Sequence, residues 1–210
     1  MTRLPSSAPC CAGDGPSNRS RRMLLIATAG AGGALAVGAA VPFVASLTPS
    51  ERALAAGAPV EVDIDKLAPG EMMVVEWRGK PVWILHRTPE MLATLAKAEP
   101  NLADPGSAVE SQQPDYARNP HRSIKPEYLV AVGICTHLGC SPSDKFKTGA
   151  ESGVSADWPG GFLCPCHGST FDLAGRVFKN KPAPTNLEVP PHKYLSEGRL
   201  IIGSDDTAAA

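Results

Sequence analysis

The sequence predicts an antiparallel β sandwich or barrel tethered by one N-terminal membrane helix, and three observations carry that reading. The 21 prolines and 20 glycines among 210 residues cut most of the chain into pieces too short for a helical domain. Beyond residue 60 those pieces are brief alternating or continuous apolar runs, which pair as strands. Ahead of them lies one long stretch, Met23 to Leu47, without a charged residue. The length suits one good core plus an appendage. A formal net charge of -1 gives no sign of a nucleic-acid partner. Arg3, Arg19, Arg21 and Arg22 against Asp14 alone precede position 50, so the remainder is mildly acidic.

Residues 1–19 are rich in Ser, Pro, Gly and Ala with no apolar period, the composition of a disordered segment in which Cys10 and Cys11 are plain thiols. Ser20-Arg21-Arg22-Met23-Leu24-Leu25 resembles the twin-arginine export signal, an address for proteins exported already folded. Residues 23–47 form the transmembrane anchor: at 1.5 Å per residue the stretch reaches about 37 Å, enough for a hydrocarbon core of about 30 Å with some tilt. Gly30-Ala31-Gly32-Gly33 gives it a smooth face for another helix. Ala53-Leu54-Ala55 has the small-x-small form of a cleavage site, but the apolar run is far longer than a signal-peptide core, which favours a retained anchor. All four early arginines precede the span, so residues 1–22 stay in the cytoplasm and the bulk lies in the periplasm of a bacterial inner membrane. Residues 48–59, T-P-S-E-R-A-L-A-A-G-A-P, have little to bury and read as a flexible hinge linker.

The domain over 60–210 opens with Val60–Ile64, which alternates as a half-buried strand should. A turn at Leu67–Gly70 leads to strands Met72–Trp77 and Pro81–His86, a hairpin around Arg78-Gly79-Lys80. Trp77 and Trp83 are core residues by this reading, and His86 an ordinary surface residue. Thr88-Pro89-Glu90 starts a short helix over about 88–98, with Thr as N-cap, Pro in the first turn, an acid near the positive end of the dipole and Met91, Leu92 and Leu95 as its apolar stripe. Glu99 to Ser123 has no period and is expected to wrap the surface with His121 solvated. Leu129–Ile134 is an apolar strand running into Cys135. Val177-Phe178, Leu187–Val189, Tyr194-Leu195 and Arg199–Ile202 are further short strands, the last two joined at Ser196-Glu197-Gly198. There is no repeat, phosphate-cradling glycine loop or Ser/His/Asp arrangement.

Chemistry concentrates in Cys135–Ser169, which reads C-T-H-L-G-C at Cys135–Cys140 and C-P-C-H-G-S at Cys164–Ser169. Two Cys/His loops roughly two dozen residues apart can grip one metal centre from two sides. Two thiolates and two imidazoles from Cys135, His137, Cys164 and His167 suit tetrahedral zinc, or a two-iron, two-sulfide cluster with both cysteines on one iron and both histidines on the other. One Cys and one His on each loop differs from the zinc-finger order of paired cysteines followed by paired histidines.

These motifs resemble those of the Rieske iron–sulfur proteins, and within them the Rieske subunits of respiratory ubiquinol–cytochrome c reductases. The likeness runs from Ser20 onward and takes in the twin-arginine anchor, the Ala-rich linker and both loops. It implies an all-β Rieske-type antiparallel sandwich, base sheets plus a small cluster-binding subdomain over about 133–184, and one [2Fe-2S] cluster per subunit. Cys135 and Cys164 would bind the buried iron, and His137 and His167 the outer iron at the tip. Cys140 and Cys166 would form the disulfide that ties the loops together, which the oxygenase-type Rieske domains lack. In the family the serine at Ser169 donates to a bridging sulfide. Many members carry a tyrosine two residues on, where this chain has Phe171. Lys181-Pro182-Ala183-Pro184 resembles the proline loop that covers the cluster, with Lys181 where a glycine is usual. Leu138 would be exposed at the tip, suited to docking.

The implied role is electron transfer within the dimeric complex and no catalysis by the chain alone. One electron is taken from ubiquinol at the cytochrome b quinol-oxidation site, with His167 or His137 receiving the quinol hydrogen bond and proton. The electron passes to cytochrome c1, and the step contributes to proton translocation. Rival readings are a Rieske subunit of another oxidoreductase, such as a menaquinol-dependent complex or an arsenite oxidase small subunit, and a zinc-stabilised structural domain.

Overall fold

A computed structural model describes residues 16–50 and 57–205, in an N-terminal helical unit and a C-terminal head. Cys10, Cys11, the Ala53-Leu54-Ala55 motif and the middle half of the hinge linker, 51–56, lie outside the described residues.

Helix α1 runs Pro16–Ala45, so it starts ahead of the apolar stretch and takes in residues 16–19, for which disorder was the expectation. Hydropathy marks the lipid-compatible part of a helix and not its hydrogen-bonded length, and a proline suits the first turn, where its missing N–H has no intrahelical acceptor. Leu24, Ile26, Leu35, Val41 and Phe43 are all exposed, and an all-round apolar helix is what a bilayer accepts. Pro42 is tolerated near the C-terminus, where Ser46 N–H still donates to its carbonyl at 2.9 Å.

The head is built from antiparallel sheets, as predicted. Strands β1 (Val60–Asp63), β9 (Arg199–Ile202) and β8 (His192–Ser196) form one; β2 (Met72–Trp77), β3 (Lys80–His86) and β4 (Tyr128–Val132) form the central one; β5 (Ser143–Lys145), β6 (Gly161–Leu163) and β7 (Thr170–Phe171) form a third. The β2–β3 hairpin turns on Arg78 and Gly79, both with positive φ (51° and 69°), as a two-residue turn between twisted strands requires. The central sheet is buried on both faces. Val82, Ile84, Val130 and Val132 face Val62, Ile64, Leu200 and Ile202, while Trp83, Leu85, Leu129 and Ala131 face a second core. Strict alternation along β3 and β4 produces this division. The second core contains Leu95 of helix α2 (Pro89–Ala98), Phe162, Phe171, Leu173, Val177 and Leu187, together with Cys135 and Cys164. The α2 N-cap is as expected, with Thr88 Oγ1 accepting from Met91 N–H at 3.3 Å.

Several local expectations are corrected. Leu187–Val189 is extended but joins no ladder; its backbone bonds go singly to Gly175, Val132 and Gln112, because Pro184, Pro190 and Pro191 close in and lack donors. Val177 and Phe178 make only isolated bridges, to Phe171 and Leu102. His86 is half-buried, its Nδ1 2.7 Å from the Leu67 carbonyl oxygen and its ring stacked on Tyr128. The 99–123 segment does not simply wrap the surface: it inserts Leu102, Ala117 and Arg122 into the interior, and His121 is half-buried. An unpatterned segment can still be anchored by single buried residues, which periodicity does not register. Strands β5 to β7 were not anticipated, since each is two or three residues long and β5 is wholly polar.

Candidate metal centre

The two Cys/His loops fold to the same design. In the first, Gly139 N–H donates to the Cys135 carbonyl (3.0 Å) and Cys135 N–H to the Cys140 carbonyl (2.8 Å). In the second, Gly168 N–H donates to the Cys164 carbonyl (3.0 Å) and Cys164 N–H to the Ser169 carbonyl (2.7 Å). Gly139 and Gly168 hold φ of +83° and +75°, a conformation that a side chain resists, so C-x-x-x-G is the local code for each turn. The first loop leaves β4 through Gly133, where a Cβ would overlap the Trp83 ring. The second links β6 to β7.

This design places the sequence-predicted residues together. Cys135 and Cys164 are each 2 % exposed and belong to the core. His137 is half-buried and His167 exposed; their rings are 4.8 Å apart between centroids and nearly perpendicular. Cys140 and Cys166 are disulfide-bonded across the loops with Cα atoms 6.6 Å apart, and the sulfurs of Cys140, Cys164 and Cys166 lie within 4.8 Å of one another. Leu138 is 71 % exposed at the turn of the first loop.

Burial pushes the Cys135 thiol above its usual range, against the His137 backbone N–H that pulls it down; the neighbouring Cys164 raises it further and Ser169 lowers it. A buried Cys135 thiolate is favoured once a cation compensates it, and the donor set fits a bound metal centre: sulfur inside, imidazole outside, one of each per loop.

A third segment closes the side. Ala183 N–H donates to Ser169 Oγ at 3.0 Å, and Thr136 Oγ1 donates to the Thr185 carbonyl at 2.7 Å, so Lys181–Pro184 is pinned to both loops. Pro182 and Lys181 are exposed. The left-handed residue here is Asn180 (φ 57°) and not Lys181, which is how a lysine fits where a glycine is usual.

Comparison with known proteins matches residues 107–191 to the Rieske [2Fe-2S] domain and residues 12–50 to the ubiquinol-cytochrome c reductase Fe-S subunit TAT signal. The chain is 60 % identical over 193 residues to the ubiquinol-cytochrome c reductase iron-sulfur subunit of Allochromatium vinosum, covering 91 % of this chain and 92 % of that one. It belongs to the Rieske iron–sulfur family. The corresponding subunit of Blastochloris viridis is 41 % identical over 187 residues, with 88 % and 92 % covered. A chain of a hyperthermophilic respiratory complex III aligns at 28 % identity and a TM-score of 0.44, with 86 % and 98 % covered. The centre of this Rieske protein is therefore a [2Fe-2S] cluster and not zinc.

The turn that follows the second Rieske loop is held by a set of buried charged residues that sequence reasoning missed. Asp172 and Arg176 form a buried ion pair at 2.8 Å, and Arg176 also donates to the Leu95 carbonyl. Arg87 donates to the carbonyls of His121 and Leu173 and to Ser123 Oγ, and Arg122 to the Ala174 and Gln112 carbonyls and Gln113 Oε1. Burial lowers both of these arginines to about 10, so they remain charged at neutral pH. They fix the backbone of the turn after Phe171. The acid and base at i and i+4 just after the loop were the available signal for the ion pair; nothing local marks Arg87 or Arg122.

Proposed function

We propose that this Rieske protein is the electron-transfer subunit of a ubiquinol–cytochrome c reductase, acting only within that complex. The observation that carries the reading is the pair of equivalent loops, each turning a cysteine into the core and a histidine toward the surface, on a chain whose relatives bear that subunit's name. The bound cluster supplies one-electron chemistry whose reduction raises the basicity of its imidazole ligands. Cys135 and Cys164 would hold the cluster from the core side, away from water. His137 and His167 would hold it from the surface side, and His167, the more exposed, or His137 would receive the hydrogen bond and proton of ubiquinol at the cytochrome b site. Leu138 provides an apolar contact beside them, suited to a protein surface rather than to water. The head then delivers the electron to cytochrome c1.

In this reading residues 1–22 are cytoplasmic, 23–47 span the inner membrane, 48–59 are the hinge, and 60–210 are the periplasmic head with its cluster-binding part over about 133–184. The early arginines support the orientation. The experiment is electron paramagnetic resonance of reduced membranes carrying His137→Ser or His167→Ser. Both variants are expected to lose the Rieske signal while the chain still inserts; retention of the two-nitrogen signal by either would overturn the ligand assignment.

A further inference from the structure

The sulfur of Cys164 lies within 4.8 Å of both sulfurs of the Cys140–Cys166 disulfide. We infer that in the cluster-free chain Cys164 exchanges into that disulfide, giving a Cys140–Cys164 bridge and a free Cys166, a form that has given up a cluster ligand. The inference rests on the reading of Cys164 as an iron ligand.

The step is an ordinary thiol–disulfide exchange and needs no oxidant. The Cys164 thiolate attacks Sγ of Cys140, the Cys140–Cys166 bond breaks, and the electron pair leaves on Cys166. One disulfide and one thiolate are present before and after. Three features set its direction. Cys166 is exposed whereas Cys140 is half-buried, so the exchange releases the sulfur at the surface and keeps the new bridge on the inner side. Attack at Cys166 instead would close a small ring across Pro165, whose fixed φ opposes it. The new bridge encloses a loop only two residues shorter than the old one, so chain entropy hardly distinguishes the two forms.

Cys135 is excluded from the exchange by its place: it is buried beside Cys164 but is not among the three clustered sulfurs. A bound cluster would suppress the exchange by committing the Cys164 sulfur to iron. The disulfide is consequently protected from exchange while the cluster is bound. The same triad makes cluster loss self-locking, because the exchanged form lacks a free Cys164 until a reductant resets it.

The test uses the full chain in detergent under anaerobic conditions, with and without removal of iron by a chelator. Free thiols are alkylated in the folded protein before an acid quench, and disulfides are then mapped by mass spectrometry. With the cluster bound, only Cys140–Cys166 is expected. After iron removal a Cys140–Cys164 peptide should appear, with Cys166 alkylated, and Cys164→Ser should abolish it. Persistence of Cys140–Cys166 alone after iron removal overturns the exchange and leaves the ligand reading intact. A scrambled mixture that includes Cys135, Cys10 or Cys11 also overturns it, since that is the product of unfolding and not of the native triad. Alkylated or exchanged Cys164 in the cluster-loaded chain would instead remove the ligand reading itself.

Discussion

Phe171 is fully buried in the core that also holds Cys135 and Cys164, and it offers no hydroxyl where many family members have one. A hydrogen bond to a ligand sulfur favours the more negative, reduced cluster, so its absence lowers the potential. Phe171→Tyr should raise the midpoint by roughly 45 to 65 mV, from about 1 to 1.5 kcal/mol for one hydrogen bond in a one-electron couple. A redox titration followed by electron paramagnetic resonance reads this directly, and an unchanged midpoint would show that the hydroxyl does not reach the sulfur. At this scale the two Cys/His turns were legible because C-T-H-L-G-C and C-P-C-H-G-S are local codes, in which the first cysteine and the glycine of each close its own turn. Thr136 and Asn186 were not legible. Thr136 bonds to the Thr185 carbonyl and Asn186 accepts from Val177 N–H, and such distant backbone partners leave no trace in spacing.

At the scale of elements, the turn between β7 and the proline loop depends on the buried Asp172–Arg176 pair. Arg176→Met leaves the Asp172 carboxylate buried without its partner, and the expected loss is about 3 to 5 kcal/mol of unfolding free energy, measurable by denaturant titration of the cluster-loaded head. Strand β8 gives a pH dependence. His192 is buried, and burial holds its imidazole below the usual value against the Pro190 carbonyl and Asp205, which raise it. The unfolded chain therefore binds the proton more readily, so this contribution to stability is complete above an ordinary histidine value of about 6.5 and is lost as pH falls through and below it. Half-buried His121 is shifted in the same direction, mainly by burial. Thermal denaturation from pH 8 to pH 5 should show falling stability, and His192→Phe should flatten that slope. Strands β1 to β4, β8 and β9 were readable because each carries an alternating or continuous apolar run within its own residues. Strands β5 to β7 were not, since each is two or three residues long and is held by its pairing with its neighbour and not by its own propensity.

For the whole molecule, the proposed hinge at 48–59 is open to direct test. Stiffening or shortening 53–58 should leave cluster assembly intact while quinol turnover falls, and unaffected turnover would remove the mobile-head account. The apolar helix and the antiparallel head were legible at this scale because each has a distinct composition: a charge-free stretch and a Gly/Pro-punctuated run of short strands. The buried Arg87 and Arg122 were not, because charged residues inside a core are recognisable only once the carbonyls they serve are in place. The most direct test of the central claim, a cluster with two imidazole ligands that meets quinol at its tip, is a redox-monitored electron paramagnetic resonance titration of membranes with and without a quinol-site inhibitor. The account predicts a one-electron Rieske signal coupled to two nitrogens, with a midpoint below that of tyrosine-bearing members and a line shape that the inhibitor changes. A signal without nitrogen coupling, or one indifferent to the inhibitor, would contradict it.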